Sequence, residues 1–213
     1  MALGLTTAAT LAAPSLAQDF SADIVSRDAA GVPIGTGARL YVAKRKVRIE
    51  TPEASTGFFL VDGATGTALF VRPAQRVFMS AKQSTRLTQL FVPVNPKDPC
   101  PQWQAATENA GVPGAGSDWR CERIGSSIVA DRDTIEYRVI PPQQPPSRRW
   151  IDPKLDIPVK LRAADGTTIA LEHIRVEVQP ASLFAVPPDY RRLDPQELIY
   201  HIKHSDVWVD PPN

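Results

Sequence analysis

Residues 148–193 read RRWIDPKLDIPVKLRAADGTTIALEHIRVEVQPASLFAVPPDYRRL, and this stretch decides the fold class. Val159, Leu161 and Ala163 alternate with Lys160 and Arg162, the period-2 pattern of a sheet with one buried and one wet face. Ala164-Asp165-Gly166 supplies a turn, because glycine accepts the positive φ of a tight hairpin. The next strand changes phase: Ile169 and Leu171 share one parity, while Ile174, Val176 and Val178 share the other. A β-bulge near Glu172–His173 repairs that slip and keeps both sets on the buried face. Prolines in the Ala181–Tyr190 segment then stop further pairing.

Outward from this stretch, the chain has 213 residues, 43% of them hydrophobic, enough for one good core and one domain over 18–213. Its 24 basic and 23 acidic residues give a net charge of +1, which argues against a nucleic-acid partner. The 21 prolines suit a sheet with frequent turns. The first 17 residues, MALGLTTAATLAAPSLA, read as a secretory signal cleaved near Ala17. A positive n-region is missing, which points to a start upstream of Met1. The segment is too short, and too rich in threonine, for a transmembrane helix.

Twenty residues lie between Cys100 and Cys121, with no C-x-x-C pair, so a disulfide is expected rather than zinc or redox chemistry. No cysteine follows the signal, so no lipid anchor is expected. These features together predict a soluble periplasmic protein and a monomer.

Strands are expected at 20–26, 39–50, 57–62, 67–71, 76–79, 126–130 and 134–140. Leu40 and Val42 are out of phase with Val47 and Ile49, which places a bulge or twist in Ala43–Lys46. A turn is expected at Asp131–Asp133. The central strands are apolar on both faces, so each face needs a cover. Leu87, Leu90, Phe91 and Val94 form the one good helical stripe, over 84–92 with Ser84 or Thr85 as cap. A second short helix over 101–109 carries Trp103. Asp194-Pro195-Gln196-Glu197 opens a helix to about Lys203, followed by an edge strand over 206–209. The order is strands, a helical insert, then strands: a mainly β, curved antiparallel sheet of about ten strands with short helices on its concave face.

Taken in order, GARLYVAKRKVRIE (37–50), FFLVDG (58–63), the helical insert, WIDPKLDIPVKLR (150–162) and SLFAVPPDY (182–190) resemble the LolA/LolB-like group of periplasmic lipoprotein carriers. That resemblance implies an unclosed half-barrel whose apolar cavity, lidded by helices, holds acyl chains. It implies a lipoprotein or lipid acyl chain as cargo, and lipoprotein-sorting proteins of the inner and outer membrane as partners. Leu87, Leu90, Phe91 and Trp103 on the lid would meet the cargo, with Phe59 and Trp150 on the strands. The lid of that group is latched by a second-strand arginine bonded to helix backbone. Arg45 falls at the matching position and Arg48 beside it, although Lys46 stands where a proline commonly follows. Both arginines also read as a solvated strand face, and the helix reads equally as a mobile lid or a permanent plug.

No G-x-S-x-G, H-E-x-x-H or Gly-rich phosphate loop occurs. His201, His204 and Asp206 form one weak cluster near a terminus, and His173 reads as structural. No catalytic residue, metal or cofactor is expected. A regulator of the same fold and a secreted enzyme without a recognisable motif are the alternatives.

Overall fold

In the computed structural model, residues 18–52, 56–81, 87–109, 118–142 and 144–194 are described. The leader, the Ser84/Thr85 cap, the C-terminal helix and strand, His201 and His204 lie outside them. The first half of the chain supplies β1 (Phe20–Arg27), β2 (Pro33–Ala43), β3 (Lys46–Glu50), β4 (Phe58–Asp62), β5 (Thr67–Arg72) and β6 (Val77–Ser80). A helical insert follows, α1 (Leu87–Leu90) and α2 (Cys100–Asn109). The second half supplies β7 (Arg120–Val129), β8 (Arg132–Ile140), β9 (Ser147–Asp152), β10 (Ile157–Arg162), β11 (Thr168–Val176) and β12 (Arg191–Arg192).

All twelve strands form one sheet in the order β12-β6-β5-β4-β3-β2-β1-β11-β10-β9-β8-β7. β11 returns to pair with β1, so the two halves meet in the middle, and among the described residues β12 and β7 are the unjoined edges. The sheet is curled but unclosed. Every pairing is antiparallel except the last, where two residues of β12 run parallel to β6. The curved antiparallel sheet is as expected, with that short parallel edge added to it.

Phase slips in the sequence have two physical origins here. At β11 the expected bulge is present: Asp23 pairs with Glu172 and Ser21 with Arg175, so His173 and Ile174 face the single residue Ala22. His173 takes a positive φ of 50°, and its Nδ1 lies 2.9 Å from Asp23 Oδ2. Beyond that bulge Val176 and Val178 are exposed, against expectation. At 43–46 the slip is a fold-back and not a bulge. Val42 sits directly opposite Val47 across a two-residue hairpin, and its turn residues Lys44 and Arg45 have φ of 47° and 67°. The turn expected at 131–133 is likewise a tight one at Ala130–Asp131, both left-handed.

One large apolar cluster fills the concave side, from Phe20, Leu40 and Ile49 across to Ile151, Val159 and Leu171. β4 is buried on both faces, as its apolar run requires. Phe59 and Val61 join the concave cluster, while Phe58 and Leu60 form a second cluster with Val71 on the other side. The second cover is not the helical insert. It is the segment after β11, which lays a 3-10 turn (Ala181–Phe184) against β2 and β3. Val186 and Tyr190 of the same segment pack on Phe58 and Leu60.

Candidate functional site

The site is built where residues 87–109 cross the concave face. Among the described residues α1 ends at Leu90, two residues before the expected end at 92, and the chain after it crosses the sheet unwound through residues 91–99. Pro93 presses on the β4–β5 turn, where a Cβ on Gly63 would come within 2.8 Å of its ring. Val94 N–H then donates to the Asp156 carbonyl at 2.8 Å, in the β9–β10 turn. The Tyr137 hydroxyl donates to the Pro96 carbonyl at 2.9 Å. This strap therefore ties strands from both halves of the sheet.

The return leg is α2. Its first residue, Cys100, is bonded to Cys121 on the edge strand β7, with Cα atoms 5.7 Å apart. The disulfide expectation holds. At its far end Asn109 meets the β4–β5 turn so closely that a Cβ on Gly66 would lie 2.1 Å from Asn109 Nδ2. In the middle Trp103 is 1% exposed and stands edge-on to Tyr137, ring centroids 6.4 Å apart. α2 thus spans the opening from one sheet edge to an inner hairpin.

Between α2, the strap and the β4–β5 hairpin lies a cleft of about 220 Å³, lined by Val61, Ala68, Thr88, Val92, Gln102 and Ala106 among others. Pockets for drug-sized ligands run about 300–1,000 Å³, so this opening admits a narrow apolar group. Leu90, Phe91, Trp103 and Phe59 are buried in the concave cluster, with Leu87 packed against it, and none of them lines the cleft. Large side chains fill the concavity; the opening is left by small ones. The signal in the sequence was the Ala105-Ala106 pair and the small residues Gly63, Ala64 and Gly66.

Trp150 also packs into the large buried cluster. It is buried, but in register it aligns with Glu136 and Lys160, and the Lys160 ammonium lies 4.9 Å from its ring centroid. Its neighbours Arg149 and Ile151 align instead with Tyr137 and Ile135, on the helix-covered face. Arg149, which the sequence reading did not single out, stacks 4.5 Å over the Trp103 ring. Loss of solvent lowers its pKa to about 10. Arg149 Nε, Trp103 Nε1 and Gln102 Oε1 are buried without a hydrogen-bond partner, a cluster of unmet polarity around the middle of α2.

The two candidate latch arginines have other partners. Arg45, exposed in the β2–β3 turn, donates to the Gly63 carbonyl at 3.4 Å. Arg48 pairs with Glu50 at 2.7 Å, donates to the Leu183 carbonyl at 3.3 Å and lies 3.5 Å over the Phe58 ring. These bonds hold the β4–β5 turn and the outer cover, and none of them reaches α1 or α2.

Among the described residues no three His, Cys, Asp or Glu side chains gather as a metal site. Among them, too, no helix is long and apolar enough to cross a membrane.

No protein-family model and no characterised protein sequence matches the chain. Solved structures do. PNGF-II is similar with a TM-score of 0.52 at 8% identity, covering 88% of this chain and 34% of that one. The Pseudomonas aeruginosa MucA/MucB complex is similar with a TM-score of 0.42 at 14% identity, covering 80% of this chain and 56% of that one. LolA superfamily protein NE2245 from Nitrosomonas europaea is similar with a TM-score of 0.35 at 12% identity, covering 81% of this chain and 91% of that one. The chain therefore spans about a third of PNGF-II and about half of the MucB chain. At 8% identity, what it shares with PNGF-II is the fold of the matched part alone.

Proposed function

We propose that this chain is an exported, periplasmic carrier that takes an acyl chain of a lipoprotein or lipid under the 87–109 cover. The reading rests on one observation above all: the cleft between α2 and the β4–β5 hairpin, lined largely by small and apolar side chains, opens beside the concave cluster. An alkyl chain entering there meets Val61, Ala68 and Val92. Each CH₂ buried contributes about 0.8 kcal/mol, so a few methylenes bind usefully and a longer chain requires the cover to move. The crowded concavity corresponds to the closed state of a lid; Leu90 and Phe91 would then trade contact with the sheet for contact with cargo. Nothing in this role needs catalysis, a metal or a cofactor.

Uptake of a fluorescent fatty-acyl probe tests the reading. The parent should bind it saturably, and Ala106→Phe should weaken binding at least tenfold with the melting temperature unchanged. A parent that ignores the probe, or a filled cleft that binds as well as the parent, removes the carrier reading.

A further inference from the structure

The sheet face turned away from α2 carries a row of like charges. Arg138 of β8 stands directly opposite Arg148 of β9, and Arg148 directly opposite Arg162 of β10. Neighbouring strands are about 4.8 Å apart, and like charges placed opposite each other destabilise a sheet. All three residues are exposed. Arg148 has Glu136 at 3.2 Å. Among the described residues no carboxylate lies within ion-pair distance of Arg138 or Arg162. The three arginines line one open groove of about 640 Å³ together with Glu122, Ile124, Pro146 and Ala163, and Glu122 stands directly opposite Arg138. Guanidinium forks match phosphate oxygens two at a time, and the three arginines outnumber the two carboxylates beside them, Glu122 and Glu136.

Exposed apolar side chains share this end of the sheet. Ile124, in the groove, is 47% exposed, and Val32 and Ile34 on the β1–β2 hairpin are 55% and 61% exposed. The hairpin adjoins the groove. A Cβ on Gly166, in the turn after Arg162, would come within 2.8 Å of the Ala29 Cβ. The register also continues from Arg162 through Thr168 and Arg27 to Pro33. We infer that this end of the sheet docks on an anionic phospholipid surface. The arginine row receives lipid phosphates, and Val32 and Ile34 enter the interface. A soluble phosphate would use the arginines but leave the apolar tips in water, and a neutral surface would use the tips but not the arginines. The inference does not rest on the cargo reading, because the groove lies on the sheet face opposite the cleft.

Vesicle sedimentation separates these cases. The chain should bind phosphatidylcholine vesicles containing phosphatidylglycerol, lose most of that binding at high salt, and pass over pure phosphatidylcholine. Each basic side chain near an anionic surface is worth about fivefold in partitioning, so R138Q/R148Q/R162Q should bind about 100-fold more weakly. Its melting temperature should stay near the parent's, since the repulsion between the arginines and the Arg148–Glu136 pair are removed together. V32S/I34S should bind several-fold more weakly with the same salt dependence. R191Q/R192Q, at the opposite edge of the sheet, should bind as the parent does. Equal binding to both vesicle types, or a triple variant that binds like the parent, overturns the inference. So does calorimetric binding of pyrophosphate at the arginines with no binding to anionic vesicles, which would make the groove a site for a soluble polyanion.

Discussion

The Asp152 carboxylate, 1% exposed, is held by the guanidinium of Arg132 on the neighbouring strand. Its other oxygen accepts the N–H groups of Lys154 at 2.8 Å and Leu155 at 3.2 Å. One buried side chain therefore shapes the β9–β10 turn, and the carbonyl of Asp156 in that turn anchors the strap through Val94. Asp152→Ala strands a charge and two amides, and should cost about 3–5 kcal/mol in urea unfolding. Asp152→Asn keeps an acceptor for the turn and should lose less. A midpoint unchanged in the alanine variant would mean that the pair does not hold the turn.

Arg48 is expected to matter for stability and not for cargo. Arg48→Leu removes the Glu50 pair, the Leu183 carbonyl contact and the stack on Phe58, a loss of about 1–3 kcal/mol. Acyl-probe affinity and off-rate should stay at the parent's values, because these contacts lie on the outer face. Arg45→Leu, at an exposed turn, should shift stability by less than about 0.5 kcal/mol. Tighter probe binding and slower release in either variant would instead identify it as the latch that the family resemblance implies.

Desolvation raises the pKa of the Asp156 carboxyl, with Arg45 partly opposing it. A folded-state pKa above the unfolded one means the folded chain prefers the protonated acid. The parent is therefore penalised as pH rises through that range, and relieved below the ordinary carboxylate value of about 3.9. Asparagine cannot ionise, and it tolerates the left-handed φ of 54° at this position. Asp156→Asn should melt above the parent at pH 7, and the gap should close near pH 3. An equal gap at both pH values would assign the effect to something other than ionisation.

Gly66 has a positive φ of 66° and leaves no room for a Cβ beside Asn109. Gly66→Ala should destabilise the fold by about 1–2 kcal/mol from backbone strain. It should also raise probe uptake by pushing the end of α2 outward. Adding Asn109→Ala should return uptake toward the parent's while leaving the strain. Uptake that stays at the parent's level in Gly66→Ala would show that this contact does not hold the cleft closed.

The sheet was legible in the sequence because its turns are local. Asp165-Gly166 and the Leu171-to-Ile174 phase change each carry their own geometry, and both appear as read. The Val42-to-Val47 slip was misread because a two-residue hairpin and a bulge both invert parity. Leu90, Phe91 and Trp103 were read as a cover for the concave face, mobile lid or permanent plug alike, and they lie in its buried cluster. The cleft was silent, since space left by Ala68, Val92 and Ala106 exists only once their partners are placed. The Arg138–Arg148–Arg162 row was equally hidden, because it depends on cross-strand register that no single segment encodes.

The Cys100–Cys121 bond makes the two ends of α2 unlike. One is a covalent pivot on the edge strand; the other packs against Gly66. Any swing of the helix is then an arc about Cys100, with its greatest travel at Asn109, about 15 Å away along a helix of ten residues. The cleft lies at that travelling end. On the proposed carrier reading, cargo would enter past the β4–β5 hairpin and not past β7, and the oxidation state of two sulfurs would set how far the doorway can widen.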